Sequence, residues 1–194
     1  MIKLLKDFPD GRMWTAVLTL AFFGGLRGAE YMGSNESDAP TVGQVQLASS
    51  PNKVMHYTVT RTKTTMHGYT IPLGCSTTNV CPYCDMIRYM NARSVNGSFG
   101  VTDWLFVYSN GVRVTKQHLN ALLKRLAKCL KLNPDNYTTH SIRAGAATTA
   151  AQCGFSDWEI QRLGGWKSET YKQYIRNLDG YVSSFSARLA GGGK

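Results

Sequence analysis

Leucines at 119, 122, 123, 126 and 130 recur at i, i+3, i+4, i+7 and i+11, the period of an amphipathic helix. Thr115 is placed to cap that helix, and Asn133-Pro134-Asp135-Asn136 to break it. Arg12–Phe23 (RMWTAVLTLAFF) is instead apolar nearly all round, which predicts a buried helix, and Gly24-Gly25 ends it. Val42–Ala48, Val54–Arg61 and Tyr69–Leu73 carry β-branched residues in partial alternation, with turns at Ser49–Asn52 and Thr64–Gly68. They predict a small antiparallel sheet of three strands. Cys81-Pro82-Tyr83-Cys84 opens a helix to about Arg93, with Pro82 in its first turn, and Trp104–Tyr108 is a short buried segment. Another helix runs from near Thr139 through Ala150 to Gly154. Ser156 and Glu159 form a capping-box pattern for a short one through Leu163, stopped by Gly164-Gly165. Ser168 starts a further helix carrying Tyr171 and Tyr174. Asp179–Leu189 is a candidate last helix before a frayed tail at 190–194. No internal repeat is present. The fold class is α+β, mainly helical with a small three-stranded antiparallel sheet.

A chain of 194 residues, 43% hydrophobic, fits one domain with a real core. Its net charge of +10 comes from 22 basic and 12 acidic residues. Residues 98–194 hold 13 Lys/Arg against 6 Asp/Glu, so +7 of that charge lies in the second half. Such a balance favours polyanions, nucleic acid first and an acidic membrane second, against the plainer reading of a soluble basic protein. The apolar run at Ala16–Phe23 is far short of a bilayer span, and MIKLLKDFPD does not read as a signal peptide. Five cysteines without secretory context are expected to be reduced thiols. Cys75, Cys81, Cys84 and His67 invite a zinc reading. A lone CxxC with no second pair supports it poorly, and thiols packing at a helix start are preferred.

The stretch Thr138–Arg176 holds the candidate chemistry. His140, Arg143 and the Trp166 indole are hydrogen-bond donors to an anion, and the phenol of Tyr171 or Tyr174 is a nucleophile able to attack phosphorus. His140 and Arg143, three apart near a helix N-terminus, share a face beside open N–H groups. Arg27 comes after a buried helix and a glycine pair, so it is either held on a rigid base or a surface arginine paired with Glu30. Lys63, where the second strand enters its turn, either reaches beyond the sheet or is merely solvated. Lys116, Lys124, Arg125 and Lys128 share the polar part of the leucine-rich helix, as a solvated face or as one that tracks a phosphate backbone.

The motifs GLRGAE, RTKTT, HSIRAGAATTAA, LGGW and YKQYIR, in that order, resemble the tyrosine recombinase (integrase) superfamily, whose catalytic fold is similar to that of type IB topoisomerases. AFFGGLRGAEYM, CPYCDMIRYM and GGWKSETYKQYIR look most like recombinases of eukaryotic mobile elements of the Crypton and DIRS kinds. The resemblance covers about residues 12–178. It implies that Arg27 is the family's first arginine, with Glu30 the acidic residue supporting it. Lys63 is then the hairpin general acid, and His140 with Arg143 the His-x-x-Arg pair. Trp166 stands at the position held by His or Trp, and Tyr174 is the nucleophile. Tyr174 comes eight residues after Trp166 where many bacterial and phage members have nine, which leaves Tyr171 a rival.

The implied reaction is DNA strand cleavage and rejoining through a 3′-phosphotyrosine, with fixed cations stabilising the charge on the non-bridging oxygens. No metal, nucleotide or other cofactor is implied. The expected partners are double-stranded DNA and other copies of the chain, as a homo-tetramer on DNA, with no membrane and no small-molecule substrate. Residues 1–189 are expected to be the catalytic domain without the usual preceding DNA-clamping domain. The nucleus is the expected location for a eukaryotic element, the cytoplasm otherwise. A topoisomerase-like nicking-closing enzyme and a silent, domesticated DNA-binding domain stand as alternatives. If the basic helix faces DNA, replacing Lys124, Arg125 and Lys128 with Gln will weaken binding and flatten the plot of log affinity against log salt. An unchanged slope in the triple variant excludes that face.

Overall fold

A helix with no polar stripe is stable only when it is covered on every side. α1 (Gly11–Phe23) is covered so, with Met13, Trp14, Val17, Leu18 and Leu20 all buried. In the computed structural model, residues 1–60, 67–76, 78–95, 97–166 and 168–175 are described. Among them are α2 (Gly28–Met32), α3 (Pro82–Val95), α4 (Lys116–Cys129), α5 (Thr139–Gln152) and α6 (Asp157–Gly164). α3 and α5 both pack against α1. Short 3-10 turns cover Ile2–Asp7, Val42–Gln44, Pro134–Asn136 and Glu169–Tyr174. No helix among the described residues is long and apolar enough to cross a membrane.

The sheet has the order β1-β2-β3, from β1 (Val45–Ala48), β2 (Val54–Val59) and β3 (Tyr69–Gly74), with both pairs antiparallel. Met55 pairs with Leu73, Tyr57 with Ile71 and Val59 with Tyr69. Met55, Tyr57 and Val59 are the buried alternation of β2, so one face joins the core. The Tyr57 hydroxyl donates to the Glu30 carbonyl at 2.7 Å and ties this sheet to α2.

Local chemistry sets the element ends. The Thr115 hydroxyl accepts the His118 N–H at 3.3 Å, and Leu119, Leu122, Leu123 and Leu126 are buried beneath α4. In the Ser156–Glu159 capping box, the Glu159 carboxylate accepts the Ser156 N–H at 2.7 Å, and the Ser156 hydroxyl accepts the Glu159 N–H at 3.3 Å. α1 and α6 end in the same way. Leu26 N–H reaches back to Ala21 O at 3.0 Å and Trp166 N–H to Gln161 O at 2.9 Å. Gly25 and Gly165 hold the left-handed positions, φ 56° and 61°.

Two expected elements differ. Val42–Gln44 is a 3-10 turn and not strand, because the Gln44 amide oxygen accepts the Thr41 N–H at 2.8 Å and its Nε2 donates to Thr58 O at 2.7 Å. The strand begins at Val45. The segment with both tyrosines is a six-residue 3-10 helix, Glu169–Tyr174, capped at Ser168. Trp104–Tyr108 forms isolated bridges, with Leu105 and Phe106 buried. The second turn's residues 64–66, Lys63, and the expected last helix and tail lie outside the described residues.

Gly25 sits where the ends of α1 and α6 meet: an added Cβ would lie 3.1 Å from Leu163 O, at a φ that disfavours side chains. Gly25→Ala will therefore lower stability by about 1–3 kcal/mol in denaturant unfolding. Gly145→Ala, in open space within α5 where the nearest neighbour is Phe22 at 3.9 Å, will leave stability unchanged or raise it by up to about 1 kcal/mol.

Candidate active site

The site is assembled by α5 crossing under the joined ends of α1 and α6. α5 is rich in Ala and Gly, and Ala147, Ala150 and Ala151 are buried against Ile160, Trp166 and Tyr171. Its start is fixed from α4: Asn120 Oδ1 accepts the Thr139 N–H at 2.9 Å. Ser141 N–H donates to Thr138 O at 3.0 Å, so the first-turn donors are partly taken within the protein.

Arg143 and His140 share a face of α5 but differ in depth. His140 is exposed, whereas Arg143 is buried at 3%. Nη1 of Arg143 donates to Gly25 O, and Nη2 to Gly164 O at 2.8 Å. Its guanidinium thus joins the C-terminal ends of α1 and α6, where helix dipoles favour a cation. Burial first, then the nearby Arg27 charge, pulls its pKa down to about 10, so it remains protonated at neutral pH. The Trp166 ring covers the guanidinium at 4.0 Å. Arg143 is therefore not presented to solvent, as an arginine shared on an open face with His140 would be.

Arg27 forms the rim. Its side chain is 38% exposed and pairs with the buried Glu30 carboxylate at 3.0 Å, which also accepts the Arg27 backbone N–H at 2.6 Å. Both sequence alternatives for Arg27 thus hold at once: it is paired to Glu30 and seated on a rigid base. Tyr69, half-buried on β3, has its pKa raised by burial and then by the Glu30 charge, whose carboxylate accepts a hydrogen bond from its hydroxyl.

The two tyrosines separate clearly. Tyr171 is fully buried beside Trp166, with ring centroids 6.3 Å apart. Tyr174 is half-buried, and its ring lies 5.1 Å from that of His140 and 5.8 Å from that of Trp166. The Thr148 hydroxyl donates to Tyr174 O at 2.9 Å, holding the end of the 3-10 turn on α5. Lys172, between the tyrosines, pairs with Glu169 at 2.9 Å and reaches Asp157 of α6 at 3.6 Å.

Arg27, Glu30, His140, Arg143, Trp166 and Tyr174 are thus drawn together, while Lys63 falls outside the described residues. The four basic residues of α4 do not form one stripe. A Cβ at Gly28, next to Arg27, would lie 3.6 Å from Lys116 Cε, so Lys116 belongs beside the site. Lys124 pairs with Asp135 at 3.3 Å, Arg125 lies over the Phe8 ring at 4.7 Å, and Lys128 is exposed. Sequence reasoning missed Asn120, Thr148 and Tyr69, whose roles rest on tertiary neighbours. Of these, only Tyr69 gave a signal, its place on the core-facing alternation of β3.

The mainly helical fold with its small three-stranded sheet is that of tyrosine recombinase catalytic domains. The chain belongs to the Phage integrase family, whose profile matches residues 2–180. Its fold is similar to that of XerH site-specific recombinase bound to palindromic difH substrate in a post-cleavage complex, with TM-score 0.65 and 14% identity over 98% of this chain and 49% of that one. For XerA recombinase the TM-score is 0.69, with 17% identity over 97% of this chain and 59% of that one. For the Tn1549 transposon integrase in complex with transposon right end DNA it is 0.58, with 18% identity over 97% of this chain and 62% of that one. The chain thus spans between 49% and 62% of the length of these solved relatives. A sequence comparison with curated proteins finds no match.

Arg143→Lys keeps the charge but cannot fork to two carbonyls, so it will lower unfolding stability by about 1–3 kcal/mol. Arg27→Lys, at a partly exposed pair that a lysine can still make, will change it by less than about 1 kcal/mol.

Proposed function

We propose that this chain cleaves and rejoins double-stranded DNA through a 3′-phosphotyrosine intermediate, with Tyr174 as nucleophile. The observation that carries this reading is the position of Tyr174. Its ring is half-buried against those of His140 and Trp166, and Trp166 in turn lies over the buried Arg143 cation.

The chemistry is dictated by charge. The Tyr174 oxygen attacks phosphorus in line, its proton passing to solvent or a neighbouring base. A P–O bond to tyrosine forms as the bond to the 5′-oxygen breaks. Negative charge grows on the non-bridging oxygens, which Arg27 and His140 meet from the rim as hydrogen-bond donors. Arg143 acts from beneath, as a buried charge and as the strut that fixes the loops carrying Arg27 and Trp166. Lys63 gives the leaving 5′-oxygen its proton. Reversal by a 5′-hydroxyl from another strand rejoins DNA without a nucleotide cofactor, since the phosphotyrosine keeps the ester bond. Lys116, beside Arg27, is placed to hold a phosphate adjoining the reacting one.

The finer reading is site-specific recombination or integration of a mobile element, most like those of the Crypton and DIRS kinds. It includes assembly as a homo-tetramer on two DNAs and action in the nucleus. The stretches AFFGGLRGAEYM, CPYCDMIRYM and GGWKSETYKQYIR support the Crypton and DIRS likeness.

A DNA substrate nicked near the scissile phosphate traps the covalent adduct. Tyr174→Phe will abolish the adduct while DNA binding persists, and Tyr171→Phe, which keeps the buried ring, will still form it. An adduct that survives Tyr174→Phe but is lost in Tyr171→Phe reverses the assignment. Exchange of strands between two duplexes, rather than relaxation of one, distinguishes recombination from a swivelling nickase.

A further inference from the structure

Three thiols meet where β3 ends and α3 begins, and nothing in the proposed reaction uses them. Cys75 comes directly after β3, and its N–H continues the sheet ladder to Lys53 O at 2.8 Å. Cys81 and Cys84 stand at the first turn of α3, three apart and so on one side. The Cys75 sulfur lies 3.5 Å from that of Cys84 and 3.5 Å from that of Cys81. All three sulfurs fall within 4.8 Å of one another. We propose that Cys75, Cys81 and Cys84 bind one zinc ion, which ties the end of β3 to the start of α3, with a water on the fourth corner.

Distance argues first. Sulfurs at the corners of a zinc tetrahedron, each about 2.3 Å from the metal, stand about 3.8 Å apart. Hydrogen bonding argues next. The Cys81 sulfur accepts two backbone N–H groups, from Ser76 at 3.3 Å and from Cys84 at 3.4 Å, an arrangement that favours a thiolate. Pro82 has no N–H of its own to offer within that turn. The buried Asp85 carboxylate accepts the Cys81 N–H at 3.2 Å and is itself held by Arg88, so the turn is braced from behind.

Exposure argues against the simpler reading of packing thiols. Cys81 is buried in the core and Cys84 packs half-buried against it, as packing thiols would, but Cys75 is exposed and still meets both. A disulfide would join two sulfurs and leave out the third, yet Cys75 is equally near both partners. His67, grouped with these cysteines on sequence grounds, precedes β3 while Cys75 lies past its end, so the length of the strand separates them. Among the described residues no other His, Cys, Asp or Glu joins the three, which is why the fourth corner falls to solvent. The inference stands apart from the strand-cleavage reading, since the reaction proposed for Tyr174, His140 and Arg143 draws on none of these residues.

The test uses the whole chain, purified under reducing conditions with zinc present. Elemental analysis will find about one zinc per chain, and a thiol reagent will react with only Cys129 and Cys153, both exposed and outside the cluster. Chelation will open all five cysteines to the reagent. X-ray absorption at the zinc edge will give three sulfur neighbours and one oxygen or nitrogen. Cys75→Ser and Cys84→Ser will each lose the metal while keeping the helical circular dichroism, since neither side chain is fully buried in the core. Zinc that is absent, or retained in both variants, overturns the site. So does reaction of all five thiols in the presence of zinc, a Cys75 disulfide under reduction, or a count of four sulfurs at the metal. None of these measurements depends on DNA cleavage.

Discussion

The Arg143 guanidinium lies where two helices end. α1 and α6 both finish at a left-handed glycine, and the carbonyls of Gly25 and Gly164, brought to one guanidinium, would repel each other without a cation between them. One cation bonded to Gly25 O and Gly164 O removes that repulsion and meets the negative ends of both dipoles. The cost of burying the charge appears as a pKa pulled down to about 10, which still leaves it ionised at neutral pH. The aromatic groups are stacked on this base. Trp166 covers the guanidinium, and Tyr174 covers Trp166. The position of the Tyr174 phenol is therefore inherited, ring by ring, from a backbone clamp.

Small side chains make the stack possible. A Cβ at Gly164 would fall 2.0 Å from a ring carbon of Trp166, so the indole can fold back only over a glycine. The alanines of α5 let α6 and the tyrosine turn come close enough for Ile160 and Tyr171 to be fully covered. Tyr171 then acts as a wedge. Its ring fills the space among Ala147, Ala150, Ala151 and Ile160 and leaves Tyr174, three residues on, at the edge with His140. Three residues make one turn of a 3-10 helix, so burial of one tyrosine fixes the direction of the other.

Much of this was legible in the chain. The leucine period placed α4, the Ser156–Glu159 box placed α6, and the alternation of Met55, Tyr57 and Val59 placed the central strand. These are local signals, with period and cap lying in one short window. The motifs also named six residues that the fold brings together. What was not legible depends on partners distant in sequence. Nothing near Arg143 states that its donors go to Gly25 and Gly164, one 118 residues earlier and the other 21 residues later. The same holds for Lys116, whose helix reads as one basic face while its first turn rests beside Gly28. Cys75, Cys81, Cys84 and His67 were grouped in the sequence, but only the sheet decides that the three sulfurs meet while the length of β3 sets His67 apart. Gln44 looked like a strand residue because the side-chain bond that bends Thr41–Gln44 is invisible to alternation.

The winding of the tyrosine segment bears on how such a spacer can change length. A 3-10 helix rises about 2.0 Å per residue against about 1.5 Å in an α-helix, so six residues wound this way advance about 12 Å, as far as eight in an α-helix. The short interval between Trp166 and Tyr174 is thereby stretched by tight coiling, and a longer interval would reach the same place in a looser coil. One residue added to Glu169–Tyr174 without rewinding would carry the phenol about 2 Å onward and about 120° around, away from His140. Spacer length and helix type are thus a single variable in this chain.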